Sequence, residues 1–450
     1  MPSLTERDKE VIWHPYTQHK TMLPPIAIER GEGSLLFDEN NNNYIDAISS
    51  WWVNIHGHAH PYIAEKIFEQ AKKLEHVIFT GFTHEPAVQI AERLLKILPG
   101  NFSKIFYSDN GSTAVEVAIK MAMQYWRNKG QVISDKREET RDKGQDSASG
   151  ISLTTYPLPL RKKILAFKNS YHGDTFGAMS VSERSVFTFP FQDYLFEVIF
   201  IETPNANNIQ DLKSFIQQNG NEISCFIYEP LLQAAGGMLI YDAKLLDELL
   251  SEIKSHEIIC IADEVLTGFY RTGKFFASDY LENKPDIICL SKALTGGTMA
   301  LGATAATQKI FDAFSSDDKT KTFFHGHSFT ANPIACAASL ASLDLLEKEE
   351  CKKNIERIIN QQKEFCLQLP TTNDKLQTKN IRQIGSIIAF EIIDGGDGYL
   401  NNISAVITQK ALQIGIYLRP LGNTVYIMPP YCITEEQLNK VHEFLLKLQL

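Results

Sequence analysis

Apolar residues along the chain follow two alternating rhythms. Short unbroken runs, "KIFYSD" (104–109), "KILAFKN" (163–169), "EVIFIET" (197–203), "CFIYEP" (225–230), "IICIADE" (258–264) and "DIICLSK" (286–292), have the length of buried strands. Between several of them lie stretches of helical period such as "AKLLDELLSEIKSH" (243–256). This alternation predicts βαβ units, hence an α/β fold with a mostly parallel sheet covered by helices on both faces. Ligand sites in such sheets sit where strands end and loops begin. Upstream, "GSLLFDENNNNYIDAIS" (33–49) reads as two short strands around an Asp/Asn turn.

Beyond about residue 331 the rhythm changes. One long helical pattern (333–369) precedes strand candidates "GSIIAFEII" (385–393) and "TVYIMPP" (424–430) and a closing helix, "TEEQLNKVHEFLLKLQ" (434–449). The expectation is a large domain over 61–330, a smaller α+β domain over 331–450, and an N-terminal segment, 1–60, that joins the small domain and the active site. Residues 134–163 begin rich in charge and pass through Ser, Gly and Pro, the composition of a mobile insertion.

Composition narrows the class. With 44% apolar and 22% charged residues the chain is an ordinary globular protein able to bury a sizeable core. A net charge of −10 argues against nucleic acid or an anionic membrane as partner. The opening "MPSLTERDKE" lacks an apolar leader core, and no run approaches the roughly 18 apolar residues of a membrane span, so a cytoplasmic location is expected. Seven scattered cysteines without C-x-x-C spacing read as reduced thiols.

The candidate chemistry lies at the predicted strand ends. Lys292 directly follows "DIICL", and Asp263 ends the preceding strong strand. Singly, each is an ordinary strand-edge charge; together they suit an aldehyde cofactor with a pyridine ring. The lysine condenses with the aldehyde as a Schiff base, and the aspartate keeps the ring nitrogen protonated. That cofactor is pyridoxal 5'-phosphate. Its phosphate needs a cradle, and "YSDNGSTAVEVAIKMAMQYW" (107–126) offers a strand end, a Gly111-Ser112 turn and a helix start with free N–H groups. Tyr171 can stack on one ring face and Val265 close the other. Glu229 is a third strand-end carboxylate. In "SSWWVNIHGHAHP" (49–61), neighbouring side chains of an extended segment face opposite ways, so Trp51 and Trp52 cannot both face one core. His56, His58 and His60 alternate, but Gly57, Ala59 and Pro61 suggest a turn, and no metal is expected.

The motifs "SDNGSTAVEVAIKMA", "YHGDTFGAMS", "YEPLLQAAGGM", "IADEVLTGFYRTGK" and "LSKALTGG" resemble those of the class III aminotransferases, pyridoxal-phosphate enzymes of fold type I, over nearly the whole large domain. The resemblance implies Lys292 as the Schiff-base and proton-shuttling lysine, Asp263 as the ring-nitrogen partner, Gly111 and Ser112 as phosphate binders and Tyr171 as the stacking aromatic. It also implies a homodimer in which the partner's "HGHSFTANP" completes each site, bringing Gly326 to the substrate and His327 and Ser328 to the cofactor. "IWHPYTQ", "SSWWVNIHG", "KALTGGTM" and "LRPLGNTVYIMPPY" look like the biotin-pathway branch. That likeness implies 8-amino-7-oxononanoate as amino acceptor and S-adenosylmethionine as donor. Tyr16 and Trp51 then wall the substrate pocket together with Tyr171, Arg419 receives the acceptor's carboxylate, and Trp52 is left to the core. Two departures stand out: His327-Ser328 where the branch reads Pro-Thr, and Leu421 where it has an aromatic. Lysine as donor, another ω-amino acid transaminase, an aminomutase or decarboxylase on the same fold, and a binding protein retaining the fold are the alternatives.

Overall fold

A computed structural model describes residues 2–138, 161–372, 377–393 and 403–449. Of the expected insertion, residues 139–160 lie outside the described residues, while 134–138 continue the helix Gly111–Glu138.

Three short strands open the fold: β1 (Ile28–Glu32), β2 (Leu35–Asp38) and β3 (Asn43–Asp46). The Asp/Asn turn between β2 and β3 forms as expected, with Asp38 Oδ1 accepting the Asn40 and Asn42 amides. The central sheet follows, built from β4 (Phe102–Ser108), β5 (Lys163–Phe167), β6 (Ile199–Ile201), β7 (Ile223–Tyr228) and, after the small ribbon β8 (Leu232–Gln233) and β9 (Leu239–Ile240), β10 (Ile259–Asp263), β11 (Ile287–Leu290) and β12 (Gly302–Thr307). Its order is β4-β12-β11-β10-β7-β5-β6, parallel except for β12, which runs antiparallel to both neighbours. Each predicted apolar run is one of its strands. The pattern missed β12, "GATAAT", because that strand is made of small residues. They let the helix Gly111–Glu138 lie close, with Thr304 Oγ1 donating to the Ala114 carbonyl at 2.9 Å.

The C-terminal part adds β13 (Thr378–Ile384), β14 (Ile387–Ile392), β15 (Ile416–Tyr417) and β16 (Thr424–Ile427). β13, β14 and β16 form an antiparallel sheet; β15 instead joins the N-terminal strands, pairing parallel with β3 through Ile416↔Ile45 and Tyr417↔Asp46. The single helical pattern of 333–369 resolves into two helices, Pro333–Leu346 and Glu349–Thr372. The first is apolar nearly all round, as a fully buried helix must be. It starts at Asn332, whose side chain caps the Ile334 and Ala335 amides, and packs against the helix Pro61–Lys73 and the turn that begins at Lys292.

Candidate active site

The C-terminal ends of the parallel strands converge on a cavity of about 470 Å³ lined by Gly111, Ser112, Tyr171, Asp263, Val265 and Lys292, among others. Lys292 sits one residue beyond Ser291 at the end of β11, in a left-handed conformation (φ 47°) that aims its amine inward. Burial pushes this amine below its ordinary pKa, against the opposing pull of Asp263 and Glu229. Asp263 is buried and held from both sides: its Oδ2 lies 2.7 Å from His172 Nδ1, and its Oδ1 accepts the Val265 amide at 3.1 Å. Sequence reasoning missed His172, although it stands beside Tyr171 in "YHGD". Glu229 lines the same cavity. Burial first, and the Asp263 charge second, push its carboxyl well above the usual range, and its Oε2 has no partner among the described residues.

The cradle is built by caps. Asn110 Oδ1 accepts the Thr113 amide and Thr113 Oγ1 accepts the Asn110 amide, both at 3.0 Å, which starts the helix at Gly111. The Gly111 and Ser112 amides have no acceptor among the described residues, so they face the cavity with the helix dipole behind them. Ser112 Oγ accepts the Asp174 amide at 2.7 Å, which leaves its own proton to donate. This contact requires glycine at 173: a Cβ there would lie 1.7 Å from Ser112 Oγ. Amide donors at one end, a carboxylate braced at the other and a buried amine between them fit the phosphate, ring nitrogen and aldehyde of pyridoxal phosphate.

Above this floor stands an arch of aromatic and charged side chains. The Tyr171 hydroxyl meets the Tyr16 hydroxyl at 3.2 Å, and Tyr16 donates to Asp174. The Tyr16 ring packs edge-on against Trp51 (5.6 Å) and Phe187 (5.7 Å). The Arg419 guanidinium lies 4.3 Å from the Trp51 ring centroid. Of the five residues assigned to the substrate, Tyr16, Trp51, Tyr171 and Arg419 form one contiguous wall, and Gly326 lies apart from it. Arg419 has no carboxylate partner among the described residues; its guanidinium lies over the Trp51 ring.

One expectation about the tryptophans needs correction. The segment Ser49–Trp52 is not extended. It is a single left-handed helical turn in which four consecutive residues have φ between 43° and 75°, closed by Trp52 N–H to the Ile48 carbonyl and Val53 N–H to the Ser49 carbonyl. At about 1–2 kcal/mol for each left-handed L-residue, such a turn costs on the order of 4–8 kcal/mol, which surrounding contacts must offset. Trp52 joins the core as expected, and it has a second role there. It is 4% exposed, yet it lines the cavity, with Lys292 Nζ 5.0 Å from its ring centroid and its Nε1 donating to the Tyr426 hydroxyl at 2.9 Å. Trp51, 40% exposed, faces the arch. The three histidines do not converge on one point: His58 meets Asp46, whereas His56, which meets Ser342, and His60 stand edge to face with ring centroids 6.2 Å apart and line one separate pocket.

Gly326, His327 and Ser328 lie outside the Lys292 cavity of their own chain. They line a second cavity of about 530 Å³ with Ile78, Phe79 and Tyr107, and His327 Nδ1 stands 3.5 Å from Asp109 Oδ2. Leu421 packs partly buried against the core.

Strand-end lysine, braced aspartate and capped helix start on this sheet define a class: the chain belongs to the class-III aminotransferases, whose family pattern it matches over residues 16–448. It is accordingly a pyridoxal-phosphate-dependent aminotransferase of fold type I. It is 42% identical over 442 residues to adenosylmethionine-8-amino-7-oxononanoate aminotransferase of Synechococcus elongatus, covering 96% of each chain. The protein of the same name from Helicobacter pylori is 36% identical, over 97% of this chain and 95% of that one. The crystal structure of the Methanocaldococcus jannaschii enzyme of that name superposes with a TM-score of 0.88 at 35% identity, covering 99% and 98% of the two chains. Among the described residues no helix is long and apolar enough to cross a membrane.

Proposed function

We propose that this protein transfers an amino group from S-adenosylmethionine to the 7-oxo group of 8-amino-7-oxononanoate, giving 7,8-diaminononanoate in biotin synthesis. It acts as a cytoplasmic homodimer, in which the Gly326–Ser328 loop of a second copy closes the phosphate end of each site. The observation that carries the substrate assignment is the Tyr16–Trp51–Arg419 wall with its uncommitted guanidinium.

Gly111 and Ser112 would hold the phosphate, Asp263 the ring nitrogen, and Tyr171 and Val265 the two ring faces. Pyridoxal phosphate supplies an aldehyde that carries nitrogen between substrates and a ring that accepts the electron pair released at the reacting carbon. The residues do the rest. Lys292, whose amine burial pushes below its ordinary pKa, would anchor the aldehyde and, with its amine free, would take the proton from the donor's α-carbon at Nζ. His172 Nδ1 donates to Asp263 Oδ2, which would keep the carboxylate oriented toward the ring nitrogen. Arg419 grips the acceptor's carboxylate in a fork, and Trp51 and Tyr16 shed water from its aliphatic chain.

The test is the visible absorption of cofactor-loaded protein mixed with S-adenosylmethionine and no acceptor. The cofactor band should bleach, and 8-amino-7-oxononanoate should restore it. A band that ignores adenosylmethionine but bleaches with lysine would overturn the donor assignment; one that ignores every amine would overturn the transaminase reading.

A further inference from the structure

The left-handed turn Ser49–Trp52 is tied at its ends by Ser49 Oγ donating to the Met428 carbonyl at 2.8 Å and by Arg271 donating to the Trp52 carbonyl at 3.4 Å, and at its start and middle by one carboxylate. Asp46, the last residue of β3, is wholly buried; its Oδ1 accepts the Ile48 amide at 3.2 Å, and its Oδ2 accepts the Ser50 hydroxyl at 2.7 Å and faces His58 Nε2 at 3.0 Å. The surrounding bonds settle which nitrogen of His58 carries the proton. The Gly57 amide donates to Asn54 Oδ1 at 2.8 Å, which fixes the Asn54 amide, so its Nδ2 donates to His58 Nδ1 at 3.1 Å. Nδ1 is therefore an acceptor, and neutral His58 donates through Nε2 to Asp46. Burial alone would raise the Asp46 carboxyl's pKa, but the bonds from His58 and Ser50 outweigh it and hold the group ionised.

The two tryptophans of the turn are secured differently. Trp52 is buried and tied to Tyr426. Among the described residues Trp51 has ring contacts with Tyr16 and Arg419 and no side-chain hydrogen bond, so its place depends on the backbone that presents it. That backbone is strained at four successive residues, and Asp46 binds it at two points, Ile48 and Ser50.

We infer that Asp46 and His58 are positioning residues for substrate choice: His58 orients the Asp46 carboxylate, which holds the left-handed turn in the one rotation that lays Trp51 against Tyr16 and Arg419. Neither residue lines the Lys292 cavity, so neither is a catalytic residue. The inference rests on the reading of Trp51 as the acceptor's wall.

The experiment compares His58→Leu and His58→Gln in the cofactor-loaded protein, each alone and combined with Trp51→Ala. His58→Leu removes the donor to Asp46; the Gln side chain restores one. His58→Leu should raise the acceptor KM about fivefold to tenfold, the effect of one lost buried hydrogen bond, with kcat within about twofold, and His58→Gln should recover most of it. In the Trp51→Ala background His58→Leu should change KM no further. An unchanged KM in His58→Leu, with only a lowered melting temperature, would make the pair merely structural and overturn the inference, as would an undiminished effect in the Trp51→Ala background. A Trp51→Ala protein with normal acceptor KM would instead overturn the substrate reading. The positioning claim is then decided by fluorescence in a Trp13→Phe protein, in which the 90% exposed Trp13 no longer contributes and Trp51 is the most accessible of the remaining three tryptophans. Acrylamide should quench that emission more strongly in His58→Leu than in His58→Gln; equal quenching in both and in the parent would overturn it.

Discussion

Replacing Arg419 by Met removes the guanidinium charge beside Trp51 while keeping an apolar stem against that ring. No carboxylate among the described residues pairs with Arg419, so its loss leaves no buried acid unmatched. The stability change should be only that of an exposed cation–π contact, about 0.5–1 kcal/mol. Its effect on recognition should be larger. A hydrogen bond between charged groups contributes about 1.5–3 kcal/mol. Because Arg419 is half-exposed, the lower part of that range applies, and kcat/KM for 8-amino-7-oxononanoate should fall about tenfold to thirtyfold. The decisive comparison uses the methyl ester of the same acceptor, which lacks the charge. The parent protein should prefer the free acid by that factor, and Arg419→Met should treat acid and ester alike. Arg419→Lys, a point charge without the flat fork, should recover only part of the preference. If Arg419→Met kept the full preference for the acid, the guanidinium would not be the carboxylate's receptor and the argument from the arch would fail.

Lys292→Ala should still bind pyridoxal phosphate, through the cradle and Asp263, but complete no catalytic cycle; repeated turnover by that variant would remove the lysine from its role. Gly173→Ala should weaken cofactor binding about tenfold or more, because its Cβ would displace Ser112, and equilibrium titration with pyridoxal phosphate would show an unchanged dissociation constant if the cradle were not built this way. Burial depresses the Lys292 pKa, so the fraction of neutral amine rises through a lower pH range than for a free lysine. The rate at which cofactor-free protein captures the aldehyde should therefore climb with pH to a midpoint below about 10.4; a midpoint at or above that value contradicts the assigned direction.

What the sequence disclosed follows from what each feature depends on. The parallel strands were legible because strands covered on both faces must be apolar throughout, and Lys292 and Asp263 because each terminates such a run. β12 escaped because its small residues serve the close approach of a helix, which leaves no apolar signature. The turn at Ser49–Trp52 was misread because hydrophobic patterning says nothing about the sign of φ in residues other than glycine. His172 and Asp174 stood inside the recognised motifs, but their partners, Asp263 and Ser112, come from distant segments, and no local spacing assigns them. Arg419 was reached through family resemblance alone; its place over Trp51 comes from the pairing of β15 with β3.

That pairing has an evolutionary corollary. The lysine, the aspartate and the phosphate cradle all hang from the central sheet, whereas Trp51 follows β3 and Arg419 follows β15, adjacent strands of a separate small sheet. On the proposed roles, Trp51 and Arg419 thus hang from a different scaffold than Lys292 and Asp263, while Tyr171 follows β5 of the central sheet. Changes confined to the small sheet can retune which oxo acid is accepted without disturbing the machinery that moves nitrogen, which gives one physical route by which a single ancestral transaminase could diversify its acceptors.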